Sequence, residues 1–191
     1  MQPMGRRSVE LWLLLAVLAT STPAAVVPRV FLEDLVNGSE WIVHGVVRES
    51  WSGWDEPTRI IWTHHHVEIR DALKGDARRS IVVSEPGGTV GGLSMISSGA
   101  VAYVGGEEVI VCLYRTPIGY LRSVGLGQGK YTVNAGGRVR AGLDGHLLVD
   151  PIGKPTPRRE TAVESLDGLT VERFKARIRT LLNRPAAVAG R

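Results

Sequence analysis

The sequence predicts a mainly β fold, an antiparallel barrel or sandwich with one short helix before it and one amphipathic helix after it. The main observation is a series of short segments rich in Val, Ile, Trp and Tyr, the residues that favour strands. Gly, Pro, Asp or Asn bounds each of them, which is typical of turns. These segments are residues 41–47, 60–69, 80–84, 109–114 and 120–125.

The chain begins with the three parts of a secretory signal. Arg6 and Arg7 precede the apolar run 11–19, and small residues then lead to Ala24 and Ala25. The run is shorter than the roughly 20 residues that a membrane-spanning helix needs. We therefore predict a signal peptide over residues 1–25 and a mature protein that is periplasmic or secreted, with no membrane span after cleavage. An uncleaved, membrane-tethered start is the alternative.

Composition narrows the class of protein further. The formal net charge is +4, and Arg6 and Arg7 would leave with the signal, so the mature chain gives little support to nucleic-acid binding. Cys112 is the only cysteine, which excludes an intrachain disulfide. It lies within an apolar strand-like segment, where we expect a buried, unreactive thiol.

The β-barrel domain is predicted to span residues 26–149. Its first half begins with a helix over 30–36 that ends at Asn37-Gly38, where glycine would allow a left-handed turn. The nearly continuous apolar strand 41–47 is expected to be buried on both faces or coiled at Gly45. Further elements follow in order along the chain. They are a loop over 52–58, a bent strand over 60–69, a turn over 71–76, a strand over 80–84 and a glycine-rich loop over 87–106.

The second half begins with a hairpin, because Pro117 and Gly119 lie between the strand-like segments 109–114 and 120–125. Short strands are expected at 130–133, 138–140 and 147–149. Three prolines indicate a linker over 150–169. Thr170 is a suitable N-cap for a helix over 170–183, whose apolar stripe includes Phe174 and Ile178. Residues 184–191 are expected to form a disordered tail.

The run His64-His65-His66 suggests a metal site. In a strand, His64 and His66 point to the same face and could supply two imidazoles to a zinc ion, the one cofactor that the sequence suggests. Two ligands do not complete a site, and a third from His44, Asp55, Glu68 or His146 cannot be placed without the fold. A solvent-facing polar patch is the simpler interpretation.

Four other residues are candidate ligand or partner contacts. Trp51 and Trp54 lie in a polar segment that is expected to be a loop, where tryptophan can anchor a partner. Thr89 and Ser94 lie in the glycine-rich loop, where the backbone can approach a ligand closely. No catalytic residue is predicted, since 125–131 departs from the phosphate-loop pattern and Ser94 lacks the nucleophile-elbow glycine.

The order of these segments resembles a layout found in uncharacterised secreted bacterial proteins. It is also distantly similar to the barrel of netrin-like and tissue-inhibitor-of-metalloproteinase domains, over about residues 31–133. The segments that carry the resemblance are 34–36, 41–47, 67–76 and 81–83. The resemblance implies a small OB-like antiparallel barrel. It does not extend to protease inhibition, because those domains dock through an amino-terminal Cys and disulfides that this sequence lacks.

The leading functional hypothesis is an exported, non-enzymatic binding or interaction module for an unknown extracytoplasmic protein or polymer. Its variable surface would be formed by the 87–106 loop and the segment that carries Trp51 and Trp54. Two alternatives stay open: a metal-dependent enzyme or metal-binding protein that uses His64 and His66, and a structural component of the cell envelope.

Overall fold

The computed structural model describes residues 26–76, 78–97, 100–142, 147–149 and 166–184. The prediction of a signal peptide over 1–25 lies outside these residues, as do His146, most of the predicted linker and, apart from Arg184, the predicted tail over 184–191. The described part is mainly β, with two helices, as the sequence predicts.

Eleven strands and two α-helices are present among the described residues. The strands are β1 (Val26–Pro28), β2 (Trp41–Asp55), β3 (Ile60–Lys74), β4 (Ser80–Pro86), β5 (Gly88–Val90), β6 (Leu93–Met95), β7 (Glu108–Arg115), β8 (Leu121–Ser123), β9 (Lys130–Val133), β10 (Val139–Ala141) and β11 (Leu147–Val149). The helices are α1 (Leu32–Asn37) and α2 (Val171–Leu182), and a 3₁₀ turn spans Leu126–Gly129.

Seven strands form one sheet in the order β10-β9-β7-β2-β3-β4-β8, and β8 also pairs with β7. This second pairing makes the sheet close partly into a ring of β2, β3, β4, β8 and β7. Most neighbours are antiparallel, whereas β4 and β8 meet in parallel at Val83 and Leu121. Outside this sheet, β1 pairs with β11 and β5 pairs with β6.

The ring has an apolar core on its inside and a second one on its outside. The inner core includes Val43, Val67 and Val111. The outer core includes Ile42, Ile110 and Phe174, where α1 and α2 cover the sheet. Strands β2 and β7 therefore bury side chains on both faces, which confirms the prediction made for the apolar segment 41–47.

Gly45 allows the close approach of β2 to β3. A Cβ at this position would overlap the carbonyl oxygen of Glu68, and the pairing register shifts between His44 and Gly45. The strand pair is therefore irregular at Gly45, where only a residue without a side chain fits.

The C-terminal helix packs against the outside of the ring. The Thr170 side chain accepts a hydrogen bond from the Arg173 amide, as an N-cap should. Phe174 and Ile178 are fully buried, and the Lys175 ammonium lies 3.0 Å from the Asp71 carboxylate. Of the predicted linker, Leu166 and Leu169 belong to the described residues, and both pack on the outer core.

Two sequence-based boundaries are wrong. Residues 52–55, predicted as part of a loop, continue β2, and residues 71–74, predicted as a turn, continue β3. Pairing between these two strands extends the ladder from Ile42 to Asp55, so backbone hydrogen bonds override weak local strand propensity. The glycine-rich loop 87–106 likewise contains the β5–β6 hairpin.

Gly38 also differs from expectation. It ends α1 with φ −75°, a right-handed conformation that does not need glycine.

The prediction that Cys112 is buried is confirmed. Its side chain is fully buried, and burial raises the pKa of the thiol to about 12.

Candidate functional site

Trp51 and Trp54 both lie on β2 and are similarly exposed, at 46% and 43%. They point to opposite faces of the β2–β3 hairpin, because the register is regular from Glu49 to Asp55 and side chains alternate along a strand. Trp51 is paired with His64, and Trp54 with Ile61. The structure therefore does not bring the two candidate tryptophans together into one contact surface.

The face that carries Trp51 is called here the outer face of the hairpin, and it includes Glu49, Trp62, His64 and His66. The opposite face, called the inner face, carries Ser50, Ser52, Trp54, Thr63 and His65, and it continues into the inside of the ring. A bulge between Val47 and Glu49 sets this assignment. The extra residue, Arg48, reverses the alternation and turns Trp51 outwards.

Four aromatic rings follow one another on the outer face. Ring centroids are 5.4 Å apart for Trp51 and His64, 5.4 Å for His64 and Tyr120, and 4.9 Å for Tyr120 and Trp62. We call Trp51, His64, Tyr120 and Trp62 the aromatic row. Trp62, at one end of the row, is buried, whereas Trp51, at the other end, is exposed. The row is therefore anchored in the protein at Trp62 and presents ring surface to solvent at Trp51.

Asp55 holds Tyr120 in the row. Its carboxylate accepts a hydrogen bond from the Tyr120 hydroxyl at 2.7 Å, and it also accepts from the hydroxyl and the amide of Thr58. The Trp62 indole donates to the Thr58 hydroxyl at 3.0 Å. The turn 56–59 is thereby joined to the loop 116–120, and the Thr58 and Tyr120 donors hold the pKa of Asp55 below its ordinary value of 3.8.

Beside the row lies an open groove of about 390 Å³, called here the outer groove. Its lining residues come from β3, from β4 and the segment before it, and from β7, β8 and the loop between these two strands. They are His64, Arg78, Ser80, Ile81, Val82, Ser84, Arg115, Gly119, Tyr120 and Leu121. His64 and Tyr120 belong to both the row and the groove, so the two features form one continuous surface.

His64 is fixed within this surface by a hydrogen bond of 2.8 Å between its Nδ1 and the Ser84 hydroxyl. Partial burial lowers the pKa of His64 below 6.5, although the charge of Asp55 opposes that shift. The imidazole is therefore neutral at neutral pH and contributes a ring and a hydrogen-bonding group to the groove, not a charge.

Two arginines at the other end of the groove contact one tryptophan. The guanidinium carbon of Arg115 lies 4.8 Å from the ring centroid of Trp41, and that of Arg78 lies 5.4 Å from it. Arg115 also donates to the Gly119 carbonyl at 3.0 Å and lies 3.7 Å from Glu40. Arg78 pairs with Asp76 at 3.0 Å.

His66 lies on the outer face with His64, as predicted from their spacing. Its Nδ1 is 3.9 Å from the Glu49 carboxylate. In the part of the chain that the structure describes, no group of three or more His, Cys, Asp or Glu side chains is placed to hold a metal ion. His146 lies outside that part, and the zinc hypothesis stays a prediction.

Thr89 and Ser94 face each other across the β5–β6 hairpin, and their hydroxyl oxygens are 3.0 Å apart. Gly91 and Gly92, both with positive φ, make the tight turn between them. Gly88, at the start of β5, lies against Ser52 and Thr63 on the inner face. Thr89 and Ser94 therefore lie on the inner side of the β2–β3 hairpin, as Trp54 does, and not in the aromatic row.

Sequence reasoning missed both Tyr120 and the arginines of the outer groove. The sequence places Tyr120 in a strand of a hairpin and Arg115 in the connection before it, and it gives no signal for Arg78. Residues far apart in the sequence meet here, since Tyr120 binds Asp55 and Arg78 and Arg115 share Trp41. A hint in the sequence was the high density of aromatic residues around the first hairpin.

Sequence reasoning also missed a polar cluster on the inner side. His65 is 5% exposed, bonds to the Ser50 hydroxyl through Nδ1 and packs on the Tyr103 ring with centroids 4.7 Å apart. Burial lowers the pKa of His65 to about 4. The Tyr103 hydroxyl bonds to Ser123, and the buried Glu85 accepts from the Ser123 amide. These groups satisfy one another's hydrogen bonds and stabilise the interior.

Among the described residues, α1 and α2 both fall short of the length and apolar content that crossing a bilayer requires. Comparisons of the chain with protein-family models, with curated proteins and with solved structures found no match.

Proposed function

We propose that this protein is an exported, non-enzymatic binding module that recognises an extracytoplasmic saccharide polymer through the aromatic row and the outer groove. The observation that carries the proposal is the exposed Trp51 ring, which lies against His64, a residue that also contacts Tyr120 and lines the polar groove. Flat aromatic surface with polar groups at its margin suits a sugar ring, which has apolar faces and a polar rim.

The size and chemistry of the groove support a small polar ligand unit. Its volume of about 390 Å³ lies at the lower end of the roughly 300–1,000 Å³ typical of ligand pockets. Arginine, serine, histidine and tyrosine side chains contribute much of its lining. A protein partner would more often find an apolar pocket for an aromatic or aliphatic anchor.

The position of the site in the ring also supports the proposal. We infer that β2, β3, β4, β7 and β8 are the five strands of an OB-type barrel, as the resemblance implies. OB-type barrels bind oligosaccharides and oligonucleotides on the face of strands 2 and 3, between the loops that join strands 1–2 and 4–5. The corresponding elements here are β3, β4 and the loop 116–120, which contribute to the lining of the outer groove, and the turn 56–59, which is joined to that loop through Asp55.

Two Ser–His hydrogen bonds raise the question of nucleophilic catalysis. Ser84 lines the groove and bonds to His64 through Nδ1, but among the residues described no carboxylate accepts a hydrogen bond from the other ring nitrogen of His64. Ser50 bonds to His65, yet no carboxylate orients the second ring nitrogen of His65 among the residues described. A serine nucleophile needs an accessible hydroxyl, a base and a group that orients the base. Binding is therefore better supported than hydrolysis.

The test is binding of the mature chain to an array of neutral and acidic glycans, with wild type, Trp51→Ala and Trp54→Ala compared. The two tryptophans are equally exposed on opposite faces of one hairpin, which makes Trp54→Ala the matched control. We expect Trp51→Ala to weaken binding about tenfold or more and Trp54→Ala to change it less than about twofold. No binding to any glycan, or equal effects of the two substitutions, would contradict the proposal.

A further inference from the structure

The outer groove carries positive charge without a balancing carboxylate in its own lining. Arg78 and Arg115 are the charged residues among those that line it, and His64 is neutral at neutral pH. We propose that the groove binds the carboxylate or sulfate group of an acidic saccharide unit, while the aromatic row stacks on the neighbouring ring. The inference rests on the proposed function and specifies its ligand class.

The two guanidinium groups are held in place before any ligand binds. The guanidinium carbons of both lie over the ring of Trp41, which is 7% exposed and anchored in the inner core, and Arg115 also donates to the Gly119 carbonyl. Stacking uses the flat face of a guanidinium and leaves N–H donors at its edge, where oxyanions bind. Less side-chain freedom is therefore lost when an anion binds.

The neighbouring acidic side chains leave donors available on both arginines. The Glu40 carboxylate accepts from the backbone amide of Arg115, but it lies 3.7 Å from the side-chain Nε, longer than a hydrogen bond, and the Arg78–Asp76 pair is exposed on both sides. Exposed pairs of this kind contribute little and exchange readily with a competing anion. A carboxylate or sulfate that enters the groove can thus bond to guanidinium donors that these pairs do not hold.

Hydroxyl groups complete the chemistry expected for a sugar. Ser80 and Tyr120 line the groove together with the arginines. The Tyr120 hydroxyl donates to Asp55 and keeps lone pairs with which it can accept from a sugar hydroxyl. Anion contacts at one end and hydroxyl contacts beside the aromatic row match a unit that carries both kinds of group.

A nucleic acid is a less suitable occupant, although it too is anionic and has stacking rings. Its phosphates repeat along the whole strand, and binding usually requires a continuous basic track. Here Glu49 and Asp55 lie at the aromatic row, and the pKa of Asp55 is lowered, so it stays ionised. These carboxylates would repel a phosphate backbone, whereas a saccharide with isolated acidic groups avoids them.

The test uses pairs of polymers that share one backbone. Affinity electrophoresis compares polygalacturonate that is mostly methyl-esterified, so that its free carboxylates are isolated, with the fully methyl-esterified polymer, and lightly sulfated dextran with dextran, so that the carboxylate and sulfate sources are separated. We expect the wild-type chain to bind at least one acidic polymer about tenfold more tightly than its neutral partner. The preference should fall steeply as salt is added, because exposed ion pairs are screened.

Arg78→Gln, Arg115→Gln and the double substitution locate the effect, and Arg140→Gln on the exposed surface of β10 removes the same charge elsewhere. The double variant should lose most of the preference for the acidic polymer, and Arg140→Gln should retain it. Arg78 is exposed, so Arg78→Gln alone remains informative if Arg115→Gln perturbs the packing of Trp41; circular dichroism monitors that packing.

Each other outcome has a distinct meaning. Equal binding of acidic and neutral polymers, still weakened by Trp51→Ala, would overturn the anion site and leave the proposed function intact. A loss in Arg140→Gln as large as in the double variant would also overturn it. Binding to none of the four polymers and to no glycan of the array would overturn both. Tighter binding to single-stranded oligothymidylate than to any saccharide would replace the saccharide with a nucleic acid.

Discussion

The two faces of the β2–β3 hairpin differ in what covers them. On the outer face, Trp51, His64 and Tyr120 form a row beside a groove that is open to solvent. On the inner face, Ser52 and Thr63 are covered by Gly88 at the start of β5, and His65 is packed on Tyr103. One strand pair thus carries an exposed aromatic row on one face and a more closely packed polar cluster on the other.

The difference shows that exposure alone does not identify a site. Trp51 and Trp54 are almost equally exposed, and from the sequence they appeared equivalent. Only Trp51 has aromatic and polar neighbours that a ligand could contact at the same time. What distinguishes the two residues is the set of side chains around them on the adjacent strands, and not the accessible area of either ring.

The largest expected effect is a loss of stability when a methyl group is added on the inner side of the hairpin, compared with the same addition on the outer face. Gly88→Ala would strain a backbone with φ +130° and place a Cβ against the Thr63 and Ser52 hydroxyls. We expect it to lower the free energy of unfolding by about 2 kcal/mol. Gly53→Ala on the outer face, where a Cβ meets no atom within 4 Å, should change it by less than about 0.5 kcal/mol.

Urea unfolding followed by circular dichroism measures both values. If Gly53→Ala proved as destabilising as Gly88→Ala, the outer face would be as closely packed as the inner one. The open groove would then not exist in solution.

The next effect is a pH dependence of stability from the inner face. Folded His65 has a pKa of about 4, whereas an unfolded histidine titrates near 6.5. Between these values the unfolded state binds more protons, so stability is fully present above pH 6.5 and declines as the pH falls. For a single group the decline stays below about 1.4 kcal/mol per pH unit.

His65→Gln should flatten this decline, as urea unfolding at about pH 7 and about pH 5 would show. His64, whose pKa is also lowered, and Glu85, whose pKa is raised, are present in both wild type and variant. The difference between the two pH profiles therefore reports His65. An unchanged pH profile in the variant would show that His65 is not buried as a neutral group.

The smallest effect concerns the support of the aromatic row. Tyr120→Phe keeps the ring but removes the hydroxyl that donates to Asp55. We expect the pKa of the Asp55 carboxyl to rise towards 3.8, since one of the donors that stabilise its ionised form is lost.

Carboxyl carbon shifts in an NMR titration report that pKa. Tyr114→Phe on the neighbouring strand β7 is the control and should leave it unchanged. A Tyr120→Phe protein with an unaltered Asp55 pKa would mean that the loop 116–120 is not tied to the turn 56–59.

Much of the architecture could be predicted from local patterns. The apolar runs around Val43 and Val111, the hairpin at Pro117 and Gly119, and the Thr170 cap each depend on neighbours in the sequence. Strand lengths were underestimated because polar residues such as Ser52 and Asp71 are held in strands by pairing with the partner strand. The candidate site was predicted only in part, with Trp51 and His64 included and Tyr120, Arg78 and Arg115 missed.

The sequence by itself therefore determined the mainly β class, the two helices, the buried thiol and the shared face of His64 and His66. These follow from side-chain periodicity and from turn chemistry, which act over a few residues. The tertiary structure decided which way Trp51 points, because the bulge at Arg48 depends on how β2 pairs with β3. It also decided that Tyr120 and two arginines line one groove with His64, since closing a ring brings together residues that no local pattern connects.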